Sequence, residues 1–168
     1  MIVLLGSAGA GKSVQSQLLS QTLGYQWVST GMLLRAHTDE SLRNELNAGK
    51  LITDDVVEDI LARAISSYAH PGKVVLDGFP RKPSQAGWLV NWAEDHAVKI
   101  EAVVHLLVTP ETARQRLKKR QRDDDTEEVI TRRFKEYEAN TQAIISNFID
   151  HKVPIIEVDA NLGIDDVN

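Results

Sequence analysis

The sequence lacks cysteine and lacks any long apolar run, and each absence excludes a class of function. Without cysteine, the chain has no disulfide, no thiolate nucleophile and no cysteine-bound metal. No segment approaches the roughly 20 apolar residues that a membrane-spanning helix requires. The apolar residues 1–5 lack the basic flank and the length of a secretion signal. We therefore expect a cytoplasmic protein with no membrane partner.

The chain also lacks an excess of positive charge. Its formal net charge is −5, which argues against a nucleic acid partner. Arginine and lysine are nevertheless concentrated between residues 114 and 133. A local basic cluster in an acidic protein favours a small polyanionic ligand over a polymer. The length of 168 residues, with 42% hydrophobic and 26% charged residues, suits one globular domain.

Short apolar runs alternate with helical patterns along the chain, which predicts a parallel sheet covered by helices on both faces. The predicted strands are residues 2–5, 27–28, 73–76, 102–108 and 154–158. The predicted helices are residues 12–23, 32–48 as two short helices, 53–68, 84–94, 110–120 and 126–149. We expect the first helix to bury an apolar face of Val14, Leu18, Leu19 and Leu23. We expect any helix after the last strand to be short or absent.

A glycine-rich loop follows the first predicted strand. Residues 6–13 read Gly-Ser-Ala-Gly-Ala-Gly-Lys-Ser, which matches the phosphate-binding P-loop. Its backbone N–H groups and the helix that follows would surround phosphate oxygens. Lys12 would reach the β- and γ-phosphates of a nucleotide, and the Ser13 hydroxyl would face Mg²⁺. The strand before the loop and the helix after it argue against a chance match in a glycine-rich turn.

Two further segments combine a helix start or a strand end with an arginine. Asp77, Gly78 and Arg81 follow a predicted buried strand. Asp77 suits a magnesium ion or its waters, Gly78 permits close approach of the backbone, and Arg81 could grip a phosphate with two N–H groups. Arg35 lies one turn into the helix that follows residues 29–31. Taken alone, residues 77–81 also fit an ordinary turn with a surface arginine, but two phosphate sites beside a P-loop favour an acceptor that itself carries phosphate.

Together these motifs resemble those of adenylate kinases. The similar segments are residues 9–12, residues 29–31 with Arg35, residues 49–54, residues 77–81 with Gln85, and Arg122 before Asp124 and Asp125. They occur in the order and with nearly the spacing of that family, and the resemblance covers essentially the whole chain. It implies a three-layer α/β/α P-loop fold with a five-stranded parallel sheet in the order 2-3-1-4-5. It also implies a single kinase domain with a core of residues 1–29 and 60–168 and a helical insertion for the nucleoside monophosphate at about residues 30–59.

The resemblance assigns a role to each matching position in the reaction ATP + AMP ⇌ 2 ADP. The residues implied to bind ATP are Gly9, Ala10, Gly11, Lys12, Ser13, Val14, Arg116 and Arg120. The residues implied to bind AMP are Thr30, Gly31, Arg35, Lys50, Leu51, Ile52, Gly78, Arg81 and Gln85. The residues implied to act in the transfer are Lys12, Arg81, Arg122 and Arg133, with Arg120 beside the moving phosphoryl group. Ser13 and Asp77 are implied to hold Mg²⁺, partly through water.

The chain departs from the family in three places. Ser13 and Val14 follow the P-loop lysine where members usually carry glycine and threonine, and Met32 replaces an aspartate. Members also insert a lid between the arginines that match Arg120 and Arg122, whereas here Gln121 alone separates them. The lid is thus reduced to a turn near residues 120–123. Because a lid excludes water from the donor site, we hypothesise weak donor-base discrimination and some futile ATP hydrolysis.

Other functions remain open at this point. The nearest is a kinase for UMP, CMP or another monophosphate, although Thr30 and Gln85 are the AMP-type residues of the family. A GTPase is disfavoured because the chain has neither an Asn-Lys-x-Asp nor an Asp-x-x-Gly guanine-nucleotide motif. A non-catalytic nucleotide-binding protein is the third alternative. We interpret the five histidines as structural or surface residues, and the sequence does not indicate an oligomeric state.

Overall fold

The computed structural model describes residues 1–36, 52–120 and 126–167. Its strands are β1 (Ile2–Gly6), β2 (Gln26–Ser29), β3 (Val74–Asp77), β4 (Ala102–Leu107) and β5 (Ile155–Asp159). Its helices are α1 (Lys12–Leu23), α2 (Thr30–Ala36), α3 (Asp54–Ser66), α4 (Pro83–Asp95), α5 (Pro110–Arg120), α6 (Glu127–Asp150) and α7 (Ile164–Val167). The predicted second helix of residues 32–48 lies outside the described residues. The expected short closing helix is α7.

The five strands form one parallel sheet in the order β2-β3-β1-β4-β5, which confirms the predicted fold class and strand order. β1 lies in the centre, where Val3 pairs with Leu76 on β3 and with Val103 on β4. Alternate residues of β1 enter two cores: Met1, Val3 and Leu5 on one face, Ile2 and Leu4 on the other. A short and continuously apolar strand is buried on both faces in this way, because helices cover both sides of a parallel sheet.

The prediction for the buried face of α1 was wrong for Val14 and Leu23, whereas Leu19 packs against the core as expected. Val14 and Leu23 are each 44% exposed, whereas the buried residues of α1 are Gln15, Ser16 and Ser20. Small polar side chains let α1 approach the sheet closely where the chain leaves the P-loop. The apolar Val14 is thereby turned toward a cleft, where it becomes available to a ligand.

Helix starts agree with the sequence, although one of them lacks the expected cap. Thr126 precedes α6 and accepts a hydrogen bond of 3.3 Å from the backbone nitrogen of Val129. Thr53 precedes α3, but its hydroxyl bonds to the Asp55 carboxylate and does not accept a capping hydrogen bond from the helix backbone. Within the described residues, no helix combines the length and apolar character needed to cross a membrane.

The described histidines are structural or exposed, as expected. His105 is buried, and its Nε2 lies 2.6 Å from the Tyr137 hydroxyl. His96 stacks on Trp92 with a ring-centre distance of 4.4 Å. His70 and His151 are exposed, and His37 lies outside the described residues.

Candidate active site

A cavity of about 600 Å³ opens at the carboxyl ends of β1 and β3. Ligands of open α/β sheets bind at this edge, outside the strand ends where the direction of the connections changes. The predicted site residues that line it are Gly9, Ala10, Gly11, Lys12, Ser13, Val14, Gly31, Arg35, Asp77, Gly78, Arg81, Arg116, Arg120 and Arg133. The structure therefore brings all of the predicted ATP-binding residues, both predicted metal ligands and four of the nine predicted AMP-binding residues to one cavity.

The P-loop is wrapped tightly against α5. Gly9 has a φ of +81°, and a Cβ atom at this position would lie 2.5 Å from the carbonyl oxygen of Ala113. Only glycine fits this backbone conformation and this approach without a shift. The Lys12 ammonium donates hydrogen bonds to the carbonyl oxygens of Gly6, at 2.7 Å, and Ser7, at 2.8 Å. The lysine thus lies across its own loop.

The electrostatic environment of Lys12 is strongly positive. The pKa of Lys12 is lowered to about 8, and burial is the largest cause. Arg81, Arg120 and Arg133 also lower this pKa, whereas Asp77 raises it. Cations brought together around one carboxylate repel one another, and a polyanion between them would remove that repulsion. A perturbed lysine in a cleft is typical of a functional site.

Ser13 and Asp77 form the predicted metal position. The Ser13 hydroxyl donates a hydrogen bond of 2.6 Å to Oδ2 of Asp77, which is 4% exposed. A hydroxyl and a carboxylate beside a phosphate-binding loop are the hard oxygen ligands that Mg²⁺ takes together with substrate phosphates. The residues present therefore fit a magnesium ion. Among the described residues, no cluster of three or more acidic or histidine side chains offers an alternative metal site.

Arg35 and Arg81 each lie beside a glycine on the other side of the cavity, and these two glycines are neighbours. A Cβ atom would lie 3.4 Å from Nη1 of Arg35 if it were added to Gly31, and 3.5 Å from Nη2 of Arg81 if it were added to Gly78. Gly78 has a φ of +85°, and a Cβ atom added to it would also lie 4.0 Å from the backbone nitrogen of Gly31. Arg81 is open to water within the cleft, yet enclosure by its walls lowers the guanidinium pKa, as does Arg133. Two guanidinium groups side by side suit a phosphate group.

The opposite end of the cavity suits a planar base. Arg116 donates hydrogen bonds to the carbonyl oxygens of Ala160, at 2.7 Å, and Leu162, at 3.1 Å. The exposed apolar side chains of Leu162 and Ile164 line the cavity beside it, as does Val14. The guanidinium and these apolar side chains offer a surface on which a planar base could stack. They offer few polar atoms that could hydrogen-bond to the edge of that base.

Thr30 and Gln85, the two residues predicted to contact adenine, are buried beside Gly78 and Arg81. They are 3% and 5% exposed, and neither is among the described residues that line the cavity. The Gln85 amide oxygen accepts a hydrogen bond of 2.8 Å from the backbone nitrogen of Arg81, and its amide nitrogen donates one of 2.9 Å to Asp54. The Thr30 hydroxyl is buried without a hydrogen-bond partner among the described residues.

Three predicted site residues cannot be placed. Lys50, Leu51 and Arg122 lie outside the described residues, and the reduced lid falls within the same gap as Arg122. Ile52 is described and packs against the hydrophobic core rather than lining the cavity.

One wall of the cavity was not predicted. Beyond Arg133, α6 presents a mixed polar and apolar face to it, made of Glu136, Tyr137, Asn140, Thr141 and Ile144. These positions recur every three or four residues from Arg133, which is the spacing of one helical face. This spacing from Arg133 is the signal in the sequence from which the wall could have been predicted.

Comparisons with known proteins agree with this geometry. The family model described as "Adenylate kinase" matches residues 4–153. The chain is 33% identical over 173 residues to an adenylate kinase of Corynebacterium glutamicum. This alignment covers 99% of this chain and 94% of that protein. It is 35% identical over 155 residues to an adenylate kinase of Mycolicibacterium paratuberculosis, covering 89% and 86%. It is 33% identical over 157 residues to adenylate kinase 1 of a Nostoc species, covering 90% and 85%. The match over most of the chain, together with the strand order and the P-loop cavity, shows that the chain belongs to the adenylate kinase family.

Proposed function

We propose that this protein catalyses reversible phosphoryl transfer from ATP to AMP, giving two molecules of ADP. The observation that carries the proposal is that the P-loop and the Arg35–Arg81 pair line one cavity. A triphosphate on the P-loop and a monophosphate on the two arginines would face each other within it. Phosphoryl transfer asks little covalent chemistry of the protein, and depends on alignment of donor and acceptor and on positive charge around the moving group.

The proposed roles follow from where each cation lies. Lys12, Arg120 and Arg133 would surround the transferring group, because Arg120 and Arg133 lie close enough to Lys12 to lower its pKa. Arg116 lies against the donor base, and Arg35 and Arg81 hold the acceptor phosphate. Arg122 is proposed as a further cation at the transfer site on family resemblance alone. No general base is required, because the acceptor is already a phosphate anion.

Mg²⁺ is part of the proposal. Ser13 and Asp77 would hold it, partly through water, and when bound the ion supplies charge that neutralises phosphate oxygens. The hydrogen bond holds the Ser13 and Asp77 oxygens 2.6 Å apart, so both lie within reach of one ion.

AMP is the proposed acceptor, with the acceptor bound in the segment of about residues 30–59 and the rest of the chain forming the core. Thr30 and Gln85 are proposed to contact the acceptor base, and the support is that their buried polar groups lie next to the arginine pair. A cytoplasmic location is included in this proposal, because ATP and AMP are metabolites of that compartment.

A panel of acceptors tests the proposal. ADP formation from ATP should be measured with AMP, UMP, CMP, GMP and the corresponding deoxynucleotides, and Lys12→Met should be run beside the wild type as an inactive control. We expect AMP to give the highest kcat/KM. Activity confined to pyrimidine monophosphates would replace AMP by UMP or CMP, and no activity with any acceptor would favour a nucleotide-binding protein without catalysis. A crystal structure with two adenosines joined through five phosphates would then show which arginines hold which phosphate.

A further inference from the structure

Asp54, the first residue of α3, is hydrogen-bonded to the start of α4. Its Oδ1 accepts from the Lys82 ammonium at 2.8 Å and from the Gln85 amide nitrogen at 2.9 Å. Its Oδ2 accepts from the Ser84 hydroxyl at 3.3 Å. The other end of the Gln85 amide accepts from the backbone nitrogen of Arg81 at 2.8 Å. The amide is thus held at both ends, by a side chain of α3 and by the backbone of the phosphate-binding arginine.

These two partners allow one orientation of the amide. An ionised carboxylate can only accept hydrogen bonds, and a backbone N–H can only donate one. A reversed Gln85 would set its NH₂ group against the Arg81 N–H and its oxygen against the Asp54 carboxylate. Each reversed contact leaves a buried polar group unpaired, which costs as much as the group's desolvation. Gln85 is 5% exposed, so little water is available to replace the lost bonds.

The fixed amide has a defined polarity toward any further partner. Its nitrogen keeps one N–H and its oxygen keeps one lone pair beyond the bonds described. Adenine offers a ring-nitrogen acceptor, N1, beside an amino donor, so it is complementary to this donor and acceptor. Hypoxanthine offers an N1–H donor beside a carbonyl acceptor, so it is complementary to the reversed amide instead.

We propose that Asp54 is a positioning residue that sets acceptor specificity, because it holds the Gln85 amide in the orientation that pairs with adenine and opposes a 6-oxopurine. This inference rests on the proposed function, in which Gln85 contacts the acceptor base. Asp54 itself does not touch the substrate. It acts through Gln85. Its effect is measured by comparing AMP with IMP, because IMP differs from AMP only at N1 and the 6-substituent of the purine.

Asp54→Asn is the variant that removes the constraint with the least change in shape. An asparagine amide can turn to offer either its oxygen or its NH₂ group to Gln85, so only the Arg81 backbone N–H still opposes the reversed orientation of that side chain. The measurement is kcat/KM with AMP and with IMP, expressed as a ratio. Where IMP turnover is slow, its inhibition constant against AMP provides the same comparison. Partial unfolding cancels in this ratio, because it lowers both values equally.

We expect the AMP-to-IMP ratio to fall by about tenfold in Asp54→Asn. Lys82→Met is the matched control, because it removes the ion pair with Asp54 but leaves the acceptor for Gln85, and its ratio should equal that of the wild type. Asp54→Glu keeps an acceptor-only group and should retain most of the selectivity.

Two results would overturn the inference. One is an unchanged ratio in Asp54→Asn, and the other is an equal fall in Asp54→Asn and Lys82→Met, which would assign the effect to the ion pair. Both leave the proposed function intact, provided that the wild type turns over AMP. A wild type without AMP-dependent transfer would refute the proposed function itself, and this inference with it.

Discussion

The Ser13 hydroxyl lies 2.6 Å from Oδ2 of Asp77, and this hydrogen bond joins the start of α1 to the carboxyl end of β3. The two residues are far apart in the chain and meet because β1 and β3 are neighbours in the sheet. A carboxylate that accepts a hydroxyl hydrogen in this way keeps further lone pairs for water or a cation. The contact therefore links the P-loop to the end of β3, directly before Gly78 and Arg81 on the acceptor side.

Asp77→Asn should weaken the magnesium dependence of the reaction. The substitution removes the negative charge but keeps an oxygen, so we expect kcat/KM to fall by about 10–100-fold and half-saturation by Mg²⁺ to move to higher concentration. Titrations of activity with Mg²⁺ at fixed nucleotide measure both. Ser13→Ala is the matched control, since it keeps the charge and should have the smaller effect on half-saturation. An Asp77→Asn enzyme with the wild-type magnesium curve would refute the assignment of Asp77.

The stability of the wild type relative to Lys12→Met should rise with pH. Burial lowers the pKa of Lys12 to about 8 in the folded protein, from its ordinary value of 10.5. Between these values the unfolded chain binds more protons at this site than the folded chain, so the free energy of unfolding increases as pH rises through that window. Methionine has no such titration. Denaturant unfolding of both proteins at pH 7.5 and pH 10 isolates the difference, because all other groups are shared. A stability difference that does not change with pH would contradict this prediction.

Arg81→Ala should impair transfer to AMP while leaving ATP binding nearly unchanged. Arg81 faces Arg35 across Gly31 and Gly78, on the side of the cavity away from the donor base. Loss of one positioned donor to a phosphate should lower kcat/KM for AMP by about 10²–10³-fold. Steady-state kinetics with varied AMP, together with calorimetric titration of ATP, separates the two effects. Arg63→Ala, which removes an exposed arginine of α3, should match the wild type in both measurements. Wild-type turnover in Arg81→Ala would exclude the role proposed for it.

The sequence was sufficient to predict the sheet and the phosphate-binding half of the site. A continuous apolar strand, a glycine loop and Lys12 form a local pattern, and the loop geometry that it encodes does not depend on distant residues. The contacts of Gln85 could not be predicted in the same way. Whether its amide reads a base or bonds to Asp54 depends on how closely α3 approaches α4, which is a tertiary relationship. Asp54 stands at a helix start, where the helix dipole favours an acidic side chain, and nothing in its local pattern indicates a partner on α4.

The short connection between Arg120 and Arg122 leads to a prediction about water. Gln121 alone separates these arginines in the sequence, although residues 121–125 are outside the described part of the structure. This spacing predicts that no lid keeps water from the γ-phosphate, so we expect measurable ADP release from ATP when AMP is absent. The assay compares ADP release with and without AMP, and Lys12→Met provides the background from contaminating hydrolysis. ATP turnover that depends strictly on AMP would show that the donor site excludes water by other means.

The buried polar face of α1 gives a stability prediction that the apolar pattern of the helix would not. Ser16 is fully buried, and its hydroxyl has no hydrogen-bond partner among the described residues. Ser16→Ala removes that unpaired group without adding volume, so we expect the free energy of unfolding to be unchanged or to increase by up to about 1 kcal/mol. Ser16→Leu restores an apolar residue but forces extra volume against the sheet, and should lower the free energy of unfolding by about 1–3 kcal/mol. Chemical denaturation of the two variants measures these changes. A Ser16→Leu variant with a higher free energy of unfolding would contradict the prediction, because it would show that α1 has room for a larger side chain against β3.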